Sequence, residues 1–299
     1  MKKFNVLETR YNVKQLESIS PKNLRDWGEY IPIGDEMDRL ERRWRKATLP
    51  FLIEGDRGIG KTLLIHTLAK KIGSALVHIP CSDNTRERHL FGSPQIDEDG
   101  SYFNAGAITT AMKALETYDF VTIHLDDVGS LSHEMQVMLL SLLDDRKCVW
   151  VNGEEMFVPD GKKLMVVLTT NPSTYSGVNT LIEAVRSRVV GEIWENPDRK
   201  ALSKILSWHG IPKEEVKEPL LTIASNTHDL RSKNNIDSVL TTRDIKNFIQ
   251  IYNDNVDDGL DHYVNLEQCI RQTILIKYPD SKEHELIRER CSHTFGVDL

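Results

Sequence analysis

Short apolar runs alternate with amphipathic stretches along the first two thirds of the chain. Each run is short enough for one buried strand, and the stretches between them carry apolar residues at helical spacing. The runs occupy residues 51–53, 75–79, 120–125, 164–168 and 189–194. Strands that alternate with helices predict an α/β fold with a parallel sheet and helices on both faces.

Beyond residue 196 the pattern predicts helices only, beginning with Asn196 as a cap and Pro197 as the first helical residue. We therefore predict a domain boundary here, with an α/β domain over 30–195 and a helical domain over 196–299. The polar residues 1–29 have no clear period, and we interpret them as an irregular arm that packs on the body or on a neighbouring subunit. The predicted C-terminal helices cover about 198–208, 213–225, 241–253, 264–277 and 281–292.

Two β-hairpins are predicted inside the α/β domain. Residues 93–103 turn at Asp99-Gly100, where the hairpin interrupts a helical pattern, and residues 148–158 turn at Asn152-Gly153. Asn-Gly between alternating apolar runs is the strongest short hairpin signal in a sequence.

A glycine-rich loop follows the first strand and precedes a helix. Its residues, Gly55-Asp56-Arg57-Gly58-Ile59-Gly60-Lys61-Thr62, fit the pattern G-x-x-x-x-G-K-[ST], and Leu63 continues into the helix. The loop presents backbone N–H groups to phosphate, Lys61 reaches the β- and γ-phosphates, and Thr62 can bind Mg²⁺. The loop therefore predicts a nucleoside triphosphate site. The preceding helix over 36–44, with Asp35 as its expected cap, is placed to close over the base.

Polar side chains follow two later strands. Asp126 and Asp127 end the strand over 120–125, and Asn171 follows the strand over 164–168. A carboxylate at the end of a strand beside the loop can reach the Mg²⁺ ion, so we assign that role to Asp126. Asp127 is placed to orient the attacking water, and Asn171 lies beside Asp126 if the two strands are neighbours. We interpret His124 as a hydrogen-bonded strand residue rather than a catalyst.

Composition limits the other function classes. The formal net charge of −7 argues against nucleic acid as the main partner, although it leaves room for a local basic pore. Four cysteines without paired spacing suit reduced thiols, and no apolar run is long enough for a membrane span. We expect a cytoplasmic protein. His78-x-x-Cys81 and Cys291-x-His293 could each be half of a metal site, but the sequence offers no matching second half.

Over residues 30–255 the chain resembles an AAA+ ATPase of the MoxR group, whose relatives include CbbQ/NirQ, GvpN and CobS-type proteins. The resemblance rests on seven features in order: the loop, the interrupted helix, Asp126-Asp127, the Asn-Gly hairpin, Thr-Thr-Asn-Pro, Leu-x-x-Ala-x-x-x-Arg and Thr-Arg-Asp. It implies a P-loop NTPase core of three αβα layers followed by a small helical lid.

The resemblance also implies roles for single residues. Asp126 matches the Walker B carboxylate and Asn171 matches sensor 1. Arg188 matches the arginine finger that reaches a neighbour's γ-phosphate, with Arg186 as the alternative, and Arg243 matches sensor 2 on the lid. The hairpins resemble the two inserts that face the pore of a ring, usually a hexamer. The implied activity is ATP hydrolysis with Mg²⁺, used in a chaperone-like way on a protein partner such as a von Willebrand A-domain protein.

One residue departs from the family pattern. The family usually has Glu where this chain has Asp127, whose side chain is one methylene shorter. A misplacement of about 1 Å can cost about a hundredfold in rate, so we expect slow, assembly-dependent hydrolysis. Two alternatives stay open: an AAA+ motor linked to nucleic acid, similar to McrB or helicases, and a nucleotide-gated scaffold with very slow hydrolysis.

Overall fold

The computed structural model describes residues 6–28, 30–172, 179–208 and 214–299. The chain divides into two compact units. The first contains residues up to Asp56 and from Lys61 to Trp194, and the second contains Glu195–Leu299 together with the short segment Arg57–Gly60. Residues 1–5 and 29 of the expected arm, and Lys213 of an expected helix, lie outside the described residues.

A five-stranded parallel sheet forms the centre of the first unit. Its strands are β2 (Phe51–Gly55), β3 (Ala75–Pro80), β6 (Phe120–Asp126), β9 (Lys163–Thr170) and β10 (Val190–Trp194), in the spatial order β10-β2-β9-β6-β3. Each of the five apolar runs forms one of these strands. Because all the strands are parallel, their carboxyl ends meet at one edge of the sheet.

Helices cover both faces of this sheet. Alternate residues of each strand point to opposite faces, so Phe51 and Ile53 join one core cluster and Leu52 joins the other. The helices of this unit are α1 (Val13–Ser18), α2 (Glu36–Lys46), α3 (Lys61–Ile72), α4 (Glu87–Leu90), α5 (Ala107–Ala114), α6 (His133–Met138), α7 (Leu140–Leu143) and α8 (Glu183–Arg186), with a 3₁₀ turn at Val128–Ser130. With the helical second unit, this arrangement confirms the predicted fold class.

Both predicted hairpins are present. The first hairpin pairs β4 (Gly92–Asp97) with β5 (Gly100–Ala105), and it separates α4 from α5 as expected. The second pairs β7 (Val149–Val151) with β8 (Glu154–Met156), and both Asn152 and Gly153 have positive φ, as a type I′ turn requires.

The arm is more ordered than the sequence analysis predicted. Strand β1 (Glu8–Arg10) pairs in parallel with β5 and extends the first hairpin to three strands. The Asn152 amide donates hydrogen bonds to the carbonyl of Leu7 at 2.7 Å and to Thr9 Oγ1 at 3.1 Å. The prediction of an irregular arm is therefore wrong for these residues, because backbone pairing with a partner far along the chain leaves no local period.

The secondary structure elements described in the second unit are all helices. They are α9 (Arg199–Trp208), α10 (Glu214–Ser232), α11 (Thr242–Asp257), α12 (His262–Cys269) and α13 (Ser281–Phe295), and a π turn at Ile270–Ile274 and a 3₁₀ turn at Leu275–Lys277 follow α12. The single helix expected over 264–277 is therefore three segments of different pitch.

Two expected caps differ in detail. Helix α9 is capped by Asp198, whose Oδ1 accepts from the Ala201 N–H at 2.7 Å, so the prediction of Asn196 and Pro197 was two residues early. Asp35 precedes α2 without a side-chain capping bond. Instead the Glu36 carboxylate accepts the N–H groups of Ile33 and Gly34, both at 2.7 Å.

Candidate functional site

The glycine-rich loop joins the central strand β2 to the start of α3. Gly58 and Gly60 have φ values of 76° and 96°, which L side chains rarely adopt. A side chain at Gly58 would also place its Cβ 2.7 Å from Thr241 Oγ1, so only glycine fits there. The loop thus takes a conformation that brings its backbone N–H groups to the first turn of a helix, which favours an anion.

Lys61 is the first residue of α3 and its ammonium group is buried. Its Nζ donates to the carbonyls of Gly55 at 2.6 Å and Asp56 at 2.9 Å. It also donates to Asn171 Oδ1 at 3.1 Å, which joins the loop to the end of β9. A cation that is 6% exposed beside a loop of backbone N–H groups is placed to bind phosphate.

Asp126 ends β6 next to the start of α3. Its Oδ2 accepts from Thr62 Oγ1 at 3.0 Å, and its Oδ1 accepts from Thr169 Oγ1 at 2.5 Å. Burial raises the pKa of this carboxyl. The neighbouring His124 and the hydrogen bonds from the two hydroxyl groups lower it by more, so the net pKa is below its usual value. Asp126 is therefore ionised at neutral pH and, with Thr62, supplies the oxygen ligands that Mg²⁺ prefers.

Asp127 has an unusual backbone conformation. Its φ of 57° and ψ of 45° lie in the left-handed region, which Asp tolerates better than most residues. In this conformation its Oδ1 accepts from Asn171 Nδ2 at 2.7 Å, and its N–H donates to Thr169 Oγ1 at 3.2 Å. Strands β6 and β9 are neighbours as expected, but the Asn171 amide N–H donates to Asp127 rather than to Asp126.

The two candidate arginine fingers lie elsewhere in the described chain. Arg188 Nη1 donates to the carbonyl of Ala184 at 2.9 Å, after α8. Arg186 is exposed and its Nη2 lies 3.5 Å from Glu54 Oε2. Among the contacts of the described residues, neither guanidinium bonds to Lys61, Thr62 or Asp126.

The other predicted residues fall into both units. Arg243 is exposed in the first turn of α11. It lies close to Gly58 within the second unit, since a Cβ atom added at Gly58 would be 3.2 Å from the Arg243 Cβ. Arg57 also belongs to this unit. Ile59 is buried, and Leu63 packs partly against the core on the α3 side of the sheet.

Sequence reasoning missed two features of the site. Thr169 connects Asp126, Asp127 and His124 through a single hydroxyl group. His78 and His124 are register partners on β3 and β6, with their Nδ1 atoms 3.0 Å apart. Thr169 is the first residue of the Thr-Thr-Asn-Pro run, so the sequence contained a signal for it. The contact between His78 and His124 depends on the register of β3 against β6, which the sequence does not supply. Cys81, which forms the His-x-x-Cys motif with His78, is not part of this pair and instead donates to the Ile79 carbonyl.

Comparisons with known proteins agree with this geometry. Residues 50–189 match the AAA domain family of the dynein-related subfamily. The chain is 26% identical over 216 residues to the denitrification regulatory protein NirQ of Pseudomonas aeruginosa, which covers 72% of this chain and 80% of NirQ. It is 22% identical over 214 residues to CbbQ of Hydrogenophilus thermoluteolus, which covers 72% of this chain and 78% of CbbQ.

A third relative is the protein NorQ of Paracoccus denitrificans, 28% identical over 171 residues, with 56% of this chain and 60% of NorQ covered. Within the described residues, no helix is both long enough and apolar enough to cross a membrane. The matched AAA domain spans the loop and every polar residue of the strand-end network. The chain therefore contains an AAA domain and is a nucleotide-binding ATP hydrolase, similar to the AAA+ ATPases of the MoxR group.

Proposed function

We propose that this ATPase works as a ring, with the hexamer as the expected form, and uses ATP and Mg²⁺ to remodel or activate a protein partner. The observation that carries the proposal is the network at the carboxyl ends of β2, β6 and β9. There Lys61, Asn171 and Asp127 form one chain of hydrogen bonds, beside the pair of Thr62 and Asp126.

Each member of the network has a role in this proposal. The N–H groups of residues 55–63 and the Lys61 ammonium bind the phosphates. Thr62 and Asp126 would hold Mg²⁺, which neutralises charge on the phosphate oxygens when bound. Asp127 orients the attacking water, and its short side chain is held by the Asn171 amide at 2.7 Å. Asn171 also contacts Lys61, so the state of the phosphate is coupled to the position of Asp127.

Two arginines complete the proposed mechanism. Arg188 acts in trans on a neighbour's γ-phosphate, with Arg186 as the alternative, and Arg243 in α11 acts as sensor 2. An arginine finger can be worth about 10³–10⁵ in rate, so turnover depends on assembly. This dependence allows a chain with Asp127 to hydrolyse ATP at a useful rate only in the ring.

The partner in this proposal is a protein, with a von Willebrand A-domain protein as the expected class. Support for a protein partner comes from the two hairpins, which carry exposed apolar side chains. Ile96 on the first hairpin is 81% exposed and Trp150 on the second is 69% exposed. Because large exposed apolar patches mark interaction sites, we take these two side chains as candidate contact points. The acidic composition favours a protein over nucleic acid.

The test compares Lys61→Ala and Arg188→Ala in assembled protein. Both changes should abolish turnover, but only Lys61→Ala should strongly weaken nucleotide binding. Arg186→Ala is the matched control for the finger. Normal hydrolysis by Arg188→Ala would refute its role, and a rate independent of protein concentration would refute assembly dependence. Stimulation by DNA but by no protein partner would instead favour a nucleic-acid motor.

A second candidate function is a nucleotide-gated scaffold with negligible hydrolysis. The observation that favours it is the short side chain of Asp127 combined with its left-handed backbone. Comparison of the wild type with Asp127→Glu separates the two candidates. A large gain in ATPase activity only in Asp127→Glu would support the scaffold, whereas similar rates would support the working ATPase.

A further inference from the structure

The carboxylate of Asp126 also lies beside two imidazoles, one buried and one partly buried. His78 and His124 are cross-strand partners in the parallel pairing of β3 and β6, so their side chains project from the same face of the sheet. Their Nδ1 atoms are 3.0 Å apart. Nε2 of His78 lies 3.8 Å from Asp126 Oδ2, and Nε2 of His124 lies 3.6 Å from Asp126 Oδ1.

The hydrogen bonds of Thr169 determine which nitrogen of His124 carries the proton. The single Thr169 hydroxyl proton goes to Asp126, because an ionised carboxylate can only accept. Thr169 Oγ1 can then only accept from His124 Nε2, 3.3 Å away. The remaining nitrogen of neutral His124, Nδ1, therefore presents a lone pair directly toward Nδ1 of His78.

Both imidazoles are suited to bind a metal as neutral ligands. In the tautomer assigned above His124 Nδ1 carries a lone pair, and a neutral His78 can place its own lone pair on Nδ1 as well. The Cys81 thiol instead donates to the Ile79 carbonyl and is not part of this cluster. The ligand set is thus imidazole and carboxylate, a set that suits Zn²⁺ and related d-block ions far better than Mg²⁺.

From this arrangement we propose that His78, His124 and Asp126 form a binding site for a divalent d-block cation of the Zn²⁺ class, which competes with the Mg²⁺ role of Asp126. One ligand atom from each of the three residues lies within 4.8 Å of the other two. Tetrahedral ligands at about 2.1 Å from one ion are about 3.4 Å apart, so the most widely separated ligand atoms must approach by up to about 1.4 Å to complete the site. The ion replaces the Nδ1 proton of His78, which moves to Nε2 of the same ring.

The site has a route to solvent and support from surrounding groups. A cavity of about 370 Å³ is lined by His78 and the segment after β3, and the His78 side chain is 23% exposed. The Nε2–H of His124 is held by Thr169, which fixes the ring and directs Nδ1 to the ion. The consequence for activity follows from Asp126, because a divalent ion on its carboxylate repels Mg²⁺ and weakens the Mg²⁺ site formed with Thr62. The competition between this cation and Mg²⁺ rests on the proposed function, whereas the binding of the cation itself does not.

The first experiment measures binding alone, in the full chain without nucleotide or Mg²⁺. Calorimetric titration with Zn²⁺ should find one site, and Co²⁺ should give the intense visible absorption of a four- or five-coordinate ion. His78→Ala should weaken Zn²⁺ binding by more than the roughly 10–100-fold that outer-shell changes cause. His78→Gln keeps a polar side chain and should lose binding similarly, while the exposed His133→Ala should leave it unchanged. Retained nucleotide binding confirms that each variant is folded.

Absence of Zn²⁺ binding by the wild type, or equal affinity in wild type and His78→Ala, would overturn the site. A second experiment measures ATPase activity with Mg²⁺ as a ratio with and without Zn²⁺. The wild type should be inhibited and His78→Ala should resist inhibition. Binding that depends on His78 but leaves turnover unchanged would overturn Asp126 as the shared ligand. Failure of the ATPase assay itself would bear on the proposed function and not on metal binding, which is measured separately.

Discussion

The strand-end network buries polar side chains, whereas the two hairpins expose apolar ones. At the carboxyl ends of the strands, Lys61 and Asn171 are buried and hydrogen-bonded to one another. On the hairpins, Ile96 and Trp150 are exposed. Buried polar groups stabilise only when their partners are in place, so the network is intolerant of substitution. Substitution of an exposed apolar side chain costs little folding free energy, so a functional effect of such a substitution would indicate contact with another molecule.

The attachment of the two regions also differs. The network rests on the central strands of a five-stranded parallel sheet, which have neighbours on both sides. The first hairpin gains its third strand from the arm through β1, and the second hairpin is joined to the arm by the Asn152 amide. Rigid support is expected for chemistry, and a few local bonds are enough for hairpins whose proposed role is contact with a protein partner.

The largest expected effect is on hydrolysis after Asp127→Asn. The neutral amide keeps the size of the side chain but cannot act as a base toward water. Turnover should fall by roughly 10²–10⁴-fold. ATP binding, measured by fluorescence titration, should change little because Asp127 is not among the proposed phosphate ligands. Full activity in Asp127→Asn would remove Asp127 from the mechanism.

Thr169→Val tests the hydroxyl that joins Asp126 and Asp127. Val keeps the shape but removes a donor to Asp126 and an acceptor for the Asp127 N–H. Misplacement of these groups should lower the steady-state ATPase rate by about a hundredfold. Thr169→Ser keeps the hydroxyl and is the matched control. Equal losses in Val and Ser would indicate that packing of the methyl group, rather than the hydrogen bonds, is responsible.

Asn152→Ala tests the link between the arm and the second hairpin. The change removes two hydrogen bonds and puts Ala at a φ of 53°, so the free energy of unfolding should fall by about 1–2 kcal/mol. Asn152→Gly removes the same bonds without the backbone strain and should cost less. Chemical denaturation measures both. If both variants lower the free energy of unfolding equally, the loss of the side-chain hydrogen bonds dominates. If neither variant lowers it, the arm is not held by Asn152.

Trp150→Ala should have the smallest effect on the isolated chain. Its exposed side chain contributes little to folding, so the free energy of unfolding should change by less than about 0.5 kcal/mol. Basal ATPase activity should also stay the same, while stimulation by a protein partner should be lost. Val151→Ala, at a buried neighbour in the same strand, should instead lower stability. A drop in basal turnover after Trp150→Ala would contradict the separation of the two regions.

The sequence by itself determined the elements and most of the candidate site. Periodicity located all five strands of the sheet, and glycine and Asn-Gly signals located the loop and the second hairpin, because these depend on local backbone preferences. Lys61, Thr62, Asp126, Asp127 and Asn171 were found because each lies at the end of a strand or in the loop. The α12 segment was misjudged because apolar periodicity does not distinguish a continuous α-helix from one interrupted by a π turn.

Only the tertiary structure decided which side chains meet. The register of β3 against β6 brings His78 to His124, and the order of β9 beside β6 brings Thr169 and Asn171 to the two aspartates. The pairing of β1 with β5 joins residues more than ninety positions apart. Such contacts depend on register between distant segments. A register shift of one residue would move every side chain of a strand to the opposite face of the sheet. The local sequence pattern of one strand does not determine its register against a distant strand.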